Sequence, residues 1–146
     1  MQWKTILVPM DFSEDSEAAL GAAVEFAKTT GARLILLHAF EFPTYIGTPW
    51  GFSFPPGAFS EARVRASELL AERNEKVLAE GVQSTTEARE GPPSEVIVEV
   101  AESLSADLIV MGTRGLTGIK HVLLGSTAER TLRYAPCPVM TVKAPS

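Results

Sequence analysis

Apolar residues in this chain fall into five short runs, separated by segments in which they recur at helical spacing. The runs are Trp3–Val8, Arg33–Phe40, roughly Val82–Glu90, Asp107–Met111 and Pro138–Val142. Within the first, second and fourth, the stretches TILV, LILLHAF and DLIVM are nearly continuous in apolar character. Strands covered on both faces read this way, and parallel sheets are covered on both faces. The third run, VQSTTEARE, is mostly polar and suits a sheet edge.

Between the runs, Ser13–Thr30 places Leu20, Ala23, Val24 and Ala27 on one helical face, with Ser13 as N-cap, acids in the first turn and Gly31 as the stop. Ala58–Glu80 is long and charged, and Ala62, Ala66, Leu69, Leu70, Val77 and Leu78 share a side. Its Glu72, Arg73, Glu75 and Lys76 read as a solvated face. Pro93–Ser103 carries a stripe of Ile97 and Val100, with Ala101 and Leu104 continuing it, and Pro93 fits a first turn. Thr127–Tyr134 is a short last helix. Strand alternating with helix means βαβ units with right-handed crossovers, hence an α/β domain built on a parallel sheet. The stretch Phe42–Phe59 breaks the pattern with four prolines, three glycines and the aromatics Tyr45, Trp50, Phe52 and Phe54. A loop this long is a lid, a partner patch, or apolar cover packed onto the domain.

The chain has 146 residues, the size of one domain, so residues 1–146 are read as a single unit with its own core. A formal charge of −5 argues against non-specific nucleic-acid binding, which needs a basic face to displace counterions. Cys137 is the only cysteine, which removes internal disulfides and paired cysteine ligands; between Pro136 and Pro138 it reads as a small buried hydrophobe. The opening run is too short for a signal peptide or a membrane span, so the expected location is cytoplasmic.

The chemistry concentrates in Gly112-x2-Gly115-x9-Gly125-Ser126, which starts where a strand ends and finishes where a helix starts. Glycines there let a ligand approach backbone N–H groups, and the helix start supplies unpaired donors and the positive end of a dipole, a combination suited to phosphate. Glycines after a strand also serve plain turns, and Ser126 with Glu129 fits a capping box that would spend the hydroxyl on the helix. Asp11, just past the first strand, is either a ligand contact or a cap for its own turn. Arg114 is either a binding fork or a solvated arginine, and Met111 fits core packing. His38, inside an apolar strand, reads as a packed, hydrogen-bonded histidine, and His121 beside Lys120 as a loop histidine within reach of a terminal phosphate. No Gly-x4-Gly-Lys-Ser/Thr loop, no Gly-x-Gly-x-x-Gly after the first strand and no nucleophile elbow is present. Phosphoryl transfer needs cations and an oriented nucleophile, so the expectation is binding, with slow hydrolysis at most.

The segments ILVPMDFSEDS, LILLHAF, DLIVMGTRG and LLGSTAERTLRYAPCPVMTV, in this order and over almost the whole length, resemble the universal stress protein family of the nucleotide-binding type. The resemblance implies a doubly wound α/β fold: a five-stranded parallel sheet with strand order 3-2-1-4-5 and helices on both faces. In that order the crevice opens at the carboxyl ends of strands 1 and 4, so Pro9 and Asp11 converge on Met111 and Gly112. It further implies an adenine-nucleotide site: Asp11 near ribose or adenine and Ala39 in the adenine pocket, where the family often has a larger aliphatic. Met111, Gly112, Arg114 and Gly115 would surround ribose and phosphate, and Gly125, Ser126 and Thr127 would hold phosphate. The implied cofactor is ATP, with or without Mg or Mn on its phosphates, and AMP or cyclic AMP as the other adenine nucleotides the cleft could take. The implied role is regulatory, in a stress response; the alternatives are a slow ATPase and an interaction module that binds another adenine nucleotide or none. The implied partner is a second copy, paired through the edge strand Pro138–Val142; neither nucleic acid nor membrane is expected.

Overall fold

The computed structural model describes residues 2–41, 58–114 and 124–145. Strands β1 (Thr5–Pro9), β2 (Arg33–Phe40), β3 (Ser84–Glu90), β4 (Leu108–Gly112) and β5 (Val139–Val142) alternate with helices α1 (Glu14–Thr30), α2 (Ala58–Ala79), α3 (Pro93–Ser103) and α4 (Ser126–Tyr134). The sheet is parallel with order β3-β2-β1-β4-β5, as the resemblance implies.

The central strands show why their apolar runs are nearly continuous. Ile6 and Val8 point into a core layer shared with Ala19, Ala23 and Val24 of α1 and Leu70 and Val77 of α2. Leu7 faces the opposite layer, with Ile97 and Val100 of α3 and Ala128 of α4. Ile6, Leu7 and Val8 are each 0 % exposed, and burying a side chain of this size contributes roughly 1.5–3 kcal/mol. Covered faces on both sides leave one polar side chain in β1, Thr5 at its start, whose hydroxyl accepts from Arg33 Nε at 3.2 Å. At the foot of the sheet, Asp107 accepts hydrogen bonds from the Lys4 and Thr5 amides, both 2.9 Å, and so fixes where β1 starts against β4.

The helix ends follow local chemistry. Ser13 caps α1, its hydroxyl accepting from the Ser16 amide at 3.2 Å, and Gly31 ends the helix in the left-handed region at φ 77°. β3 lies at the sheet edge with mostly exposed residues, in line with its polar sequence.

Three expectations change. The buried stripe of α2 is narrower than its apolar pattern suggests: Ala66, Leu70 and Val77 are buried, whereas Ala62 and Leu78 are exposed. Arg73 occupies the same stripe, its guanidinium 5.3 Å from the Phe12 ring and its Nε donating to Glu17 at 2.9 Å. A long stem can cover apolar surface while its charge finds a carboxylate, so Arg73 is not part of a solvated face. Finally, β3 begins at Ser84, because Val82 is drawn into the core by a backbone bond to Val77.

The Phe42–Phe59 loop, except for its last two residues, lies outside the described residues, as do Gly115, Lys120 and His121. Among the described residues no helix is long and apolar enough to cross a membrane.

Candidate functional site

β1 pairs with β2 on one side and β4 on the other, so chain direction across the sheet reverses between β1 and β4. Loops leaving the carboxyl ends of these two strands must diverge, and a crevice opens between them. A cleft of about 210 Å³ occupies this place. Every sequence-predicted site residue that the structure describes lines it: Pro9, Asp11, Ala39, Met111, Gly112, Arg114, Gly125, Ser126 and Thr127. Gly115 lies outside the described residues. Leu37, Pro93 and Ile97 complete an apolar wall with Ala39 and Met111, while the start of α4 forms the polar end.

That polar end differs from the sequence expectation. The N-cap of α4 is Gly125, in extended conformation and without a side-chain cap, and Ser126 is already the first helical residue. A Ser126–Glu129 capping box therefore does not form: a hydroxyl inside the helix cannot reach back to the donors that an N-cap serves. The first-turn N–H groups of α4 are left for another acceptor, at the positive end of the helix dipole. The Gly125 amide itself donates to the Thr113 carbonyl, which anchors the helix start to the end of β4.

Asp11 uses one oxygen locally. Its Oδ1 accepts from the Ser13 amide at 2.9 Å and from the Ser13 hydroxyl, forming the turn that local chemistry favours. Phe12 between them sits in the left-handed region at φ 64°, its ring 5.0 Å from His38 and within cation–π range of Arg73. His38 Nδ1 lies 2.7 Å from the Met10 carbonyl, and since a carbonyl only accepts, Nδ1 carries the proton. His38 is thus a packed, hydrogen-bonded histidine that braces the Asp11 turn. Met111 belongs to the core layer of α3 and α4 and also shows an edge to the cleft. Cys137 packs partly buried beside that layer, and burial pushes its thiol pKa up, away from reactive thiolate.

Sequence reasoning missed Asp15, which appeared as one of several acids in the first turn of α1. It is 3 % exposed and accepts five hydrogen bonds, from Thr113 Oγ1 (2.9 Å), Arg114 N (3.1 Å), Arg114 Nε (3.0 Å), Arg114 Nη2 (3.0 Å) and Ala144 N (2.9 Å). Arg114 is accordingly neither solvated nor a free fork: both of its donor edges toward Asp15 are engaged. The Arg114 guanidinium holds the Asp15 carboxyl well below the usual carboxylate range; burial opposes this, and the Ala144 amide and Thr113 hydroxyl reinforce it. A sequence signal for this residue does not exist at short range, because its partners lie 98 to 129 positions away.

Gly112 also has a role other than ligand approach. A Cβ there would stand 2.8 Å from both the carbonyl carbon and the Cβ of Asp15, and 2.9 Å from the Ser16 amide nitrogen. Its glycine lets the end of β4 press against the first turn of α1. Among the described residues no group of three His, Cys, Asp or Glu side chains is placed to hold a metal ion.

Comparison with known proteins gives a consistent picture. The family model described as the universal stress protein family matches residues 2–143. The universal stress protein MJ0531 of Methanocaldococcus jannaschii is 38 % identical over 151 residues, spanning 98 % of this chain and 84 % of its own. The solved structure of the hypothetical protein MJ0577 superposes with a TM-score of 0.87 at 28 % identity, covering 100 % of this chain and 99 % of its own. A universal stress protein crystallised in complex with cAMP shares the fold, with a TM-score of 0.74, 24 % identity and coverage of 99 % and 100 %.

Proposed function

This chain belongs to the universal stress protein family, and on that premise we propose that its cleft binds an adenine nucleotide, with ATP as the first choice, in a regulatory rather than a catalytic role. The observation that carries this reading is the start of α4. A helix whose N-cap is a bare glycine, with Ser126 and Thr127 in its first turn, faces a cleft at the switch point of a doubly wound sheet. The apolar wall of Leu37, Ala39, Ile97 and Met111 suits a flat base, and the second oxygen of Asp11 suits a sugar hydroxyl. At about 210 Å³ the cleft is smaller than the roughly 300–1,000 Å³ typical of ligand pockets, which fits base and sugar enclosed and phosphates laid along the helix start. The relative that binds cAMP has the same fold.

The residues present fit the phosphates through neutral donors: backbone amides and the hydroxyls of Ser126 and Thr127. Arg114 spends its charge on Asp15, so among the described residues lining the cleft no unpaired cation faces a transferring phosphoryl group. A Mg or Mn ion carried by ATP would neutralise the phosphate charge. For these reasons the site holds a nucleotide better than it turns one over.

Gly125→Val tests the reading. Gly125 has φ −69°, which any residue can adopt, and valine there is expected to leave the domain folded, checked by circular dichroism, while putting a branched side chain on the cleft wall. Calorimetric titration with ATP, AMP and cAMP is expected to show affinity reduced by at least about 100-fold, or about 2.7 kcal/mol. Wild-type affinity in a folded Gly125→Val protein would remove the assignment of the cleft.

A homodimer through β5 belongs to the same proposal. β5 is the outer strand next to β4, and Met140 on it is 38 % exposed. An unpaired apolar edge invites a second strand, and lysine is the usual guard against one. Sedimentation is expected to find a dimer for the wild type and a monomer for Met140→Lys; a monomeric wild type at tens of micromolar would contradict it.

A further inference from the structure

Asp15 joins three parts of the chain that lie far apart in sequence. It stands in the first turn of α1, accepts from Thr113 and Arg114 just after β4, and accepts from Ala144 just after β5. Thr113 extends the junction, its amide donating to the Val142 carbonyl at 3.0 Å and its carbonyl accepting from the Gly125 amide. The N-cap of α4, the turn that lines the cleft and the end of the edge strand are therefore linked by consecutive hydrogen bonds, with one buried carboxylate at the centre. Hydrogen bonds to a buried charge are stronger than neutral ones, and the close fit of Gly112 against Asp15 leaves little slack.

We infer that Asp15 is a positioning residue that makes the Gly112–Arg114 turn and the Val142–Ala144 end of β5 move as one unit, so that occupancy of the cleft is felt at the edge of the sheet. The second half rests on the nucleotide reading above; the first half does not. A ligand phosphate at Gly125 and Ser126 orders the helix start, which holds Thr113, which shares Asp15 with Ala144. Stabilising one end of such a linkage stabilises the other by the same coupling free energy. A chain of contacts becomes a coupling pathway once a change at one end is measured at the other.

Amide hydrogen exchange on the full chain, read residue by residue by NMR, provides that measurement. Arg114 Nη2 and the Ala144 amide both donate to Asp15 Oδ1, and Arg114→Gln is expected to speed exchange of the Ala144 amide about tenfold, while the β2 amides Leu34–Leu37 and the control variant Arg133→Gln stay at wild-type rates. Arg114→Lys, which keeps the charge and loses the fork, is expected to fall between and serves if the glutamine variant is poorly folded. Saturating ATP is expected to slow Ala144 exchange in the wild type and to lose that effect in Arg114→Gln. An Ala144 rate unchanged by both Arg114 variants would overturn the linkage. So would ATP protection of Gly125–Ala128 with none at Ala144. If ATP protects no cleft amide, the nucleotide reading fails, and the Arg114 variants alone decide whether the unit exists.

Discussion

Asp15→Ala is expected to destabilise the protein by about 3 kcal/mol, seen as a fall in melting temperature on the order of 10 °C in calorimetry. Removing one member of a buried charge pair leaves the other uncompensated, a loss of roughly 3–5 kcal/mol. Arg114 is 21 % exposed and regains some water, which sets the lower end of that range. The Thr113 hydroxyl and Ala144 amide lose their acceptor at the same time. The same carboxylate shapes the acid limb of the stability curve. Its native pKa is depressed, so between that value and the unfolded value of about 4 the unfolded chain binds a proton that the native protein does not. Asp15 thus contributes fully at neutral pH, and the contribution is lost as pH falls below about 4 toward the depressed native value. Urea midpoints measured from pH 7 down to 3 are expected to fall less steeply for Asp15→Asn than for the wild type. Parallel acid limbs would mean that the pair adds nothing to stability.

Gly112→Ala is expected to lose about 3 kcal/mol, the upper end for inserting one methyl group into a packed interior. The clash is with backbone and Cβ atoms of Asp15 and the Ser16 amide, at 2.8–2.9 Å, so no side chain can rotate away. Relief requires the end of β4 to withdraw from α1, and with it Arg114 and Thr113 from Asp15. A folded Gly112→Ala protein is therefore expected to show a weaker acid dependence as well as a lower melting temperature. Gly21→Ala is the comparison, because an added Cβ there meets nothing within 4 Å on an exposed helix position. Alanine is the better helix former, so that substitution is expected to stabilise slightly. Equal melting temperatures for Gly112→Ala and the wild type would show that the strand end has room to move.

Much of this architecture was legible in the chain. Nearly continuous apolar runs in β1, β2 and β4 mark strands covered on both faces, and the polar VQSTTEARE marks an edge, because solvent exposure is what each composition can tolerate. Ser13 and Gly31 bound α1 through interactions that span only a few residues. The glycine spacing and its resemblance to a known family pointed to the cleft, and its described members do line one.

What the tertiary structure decided are the uses of residues whose partners are distant. Asp11 caps its own turn and still borders the cleft. Arg114 pairs with Asp15, Gly112 yields space to α1, and Ser126 stands inside the helix it was expected to cap. Local propensity and periodicity act over a turn of helix or a pair of strand residues. Asp15 meets Thr113 and Ala144 because the sheet order β1-β4-β5 brings their strand ends together under α1, and that juxtaposition is a property of the folded sheet.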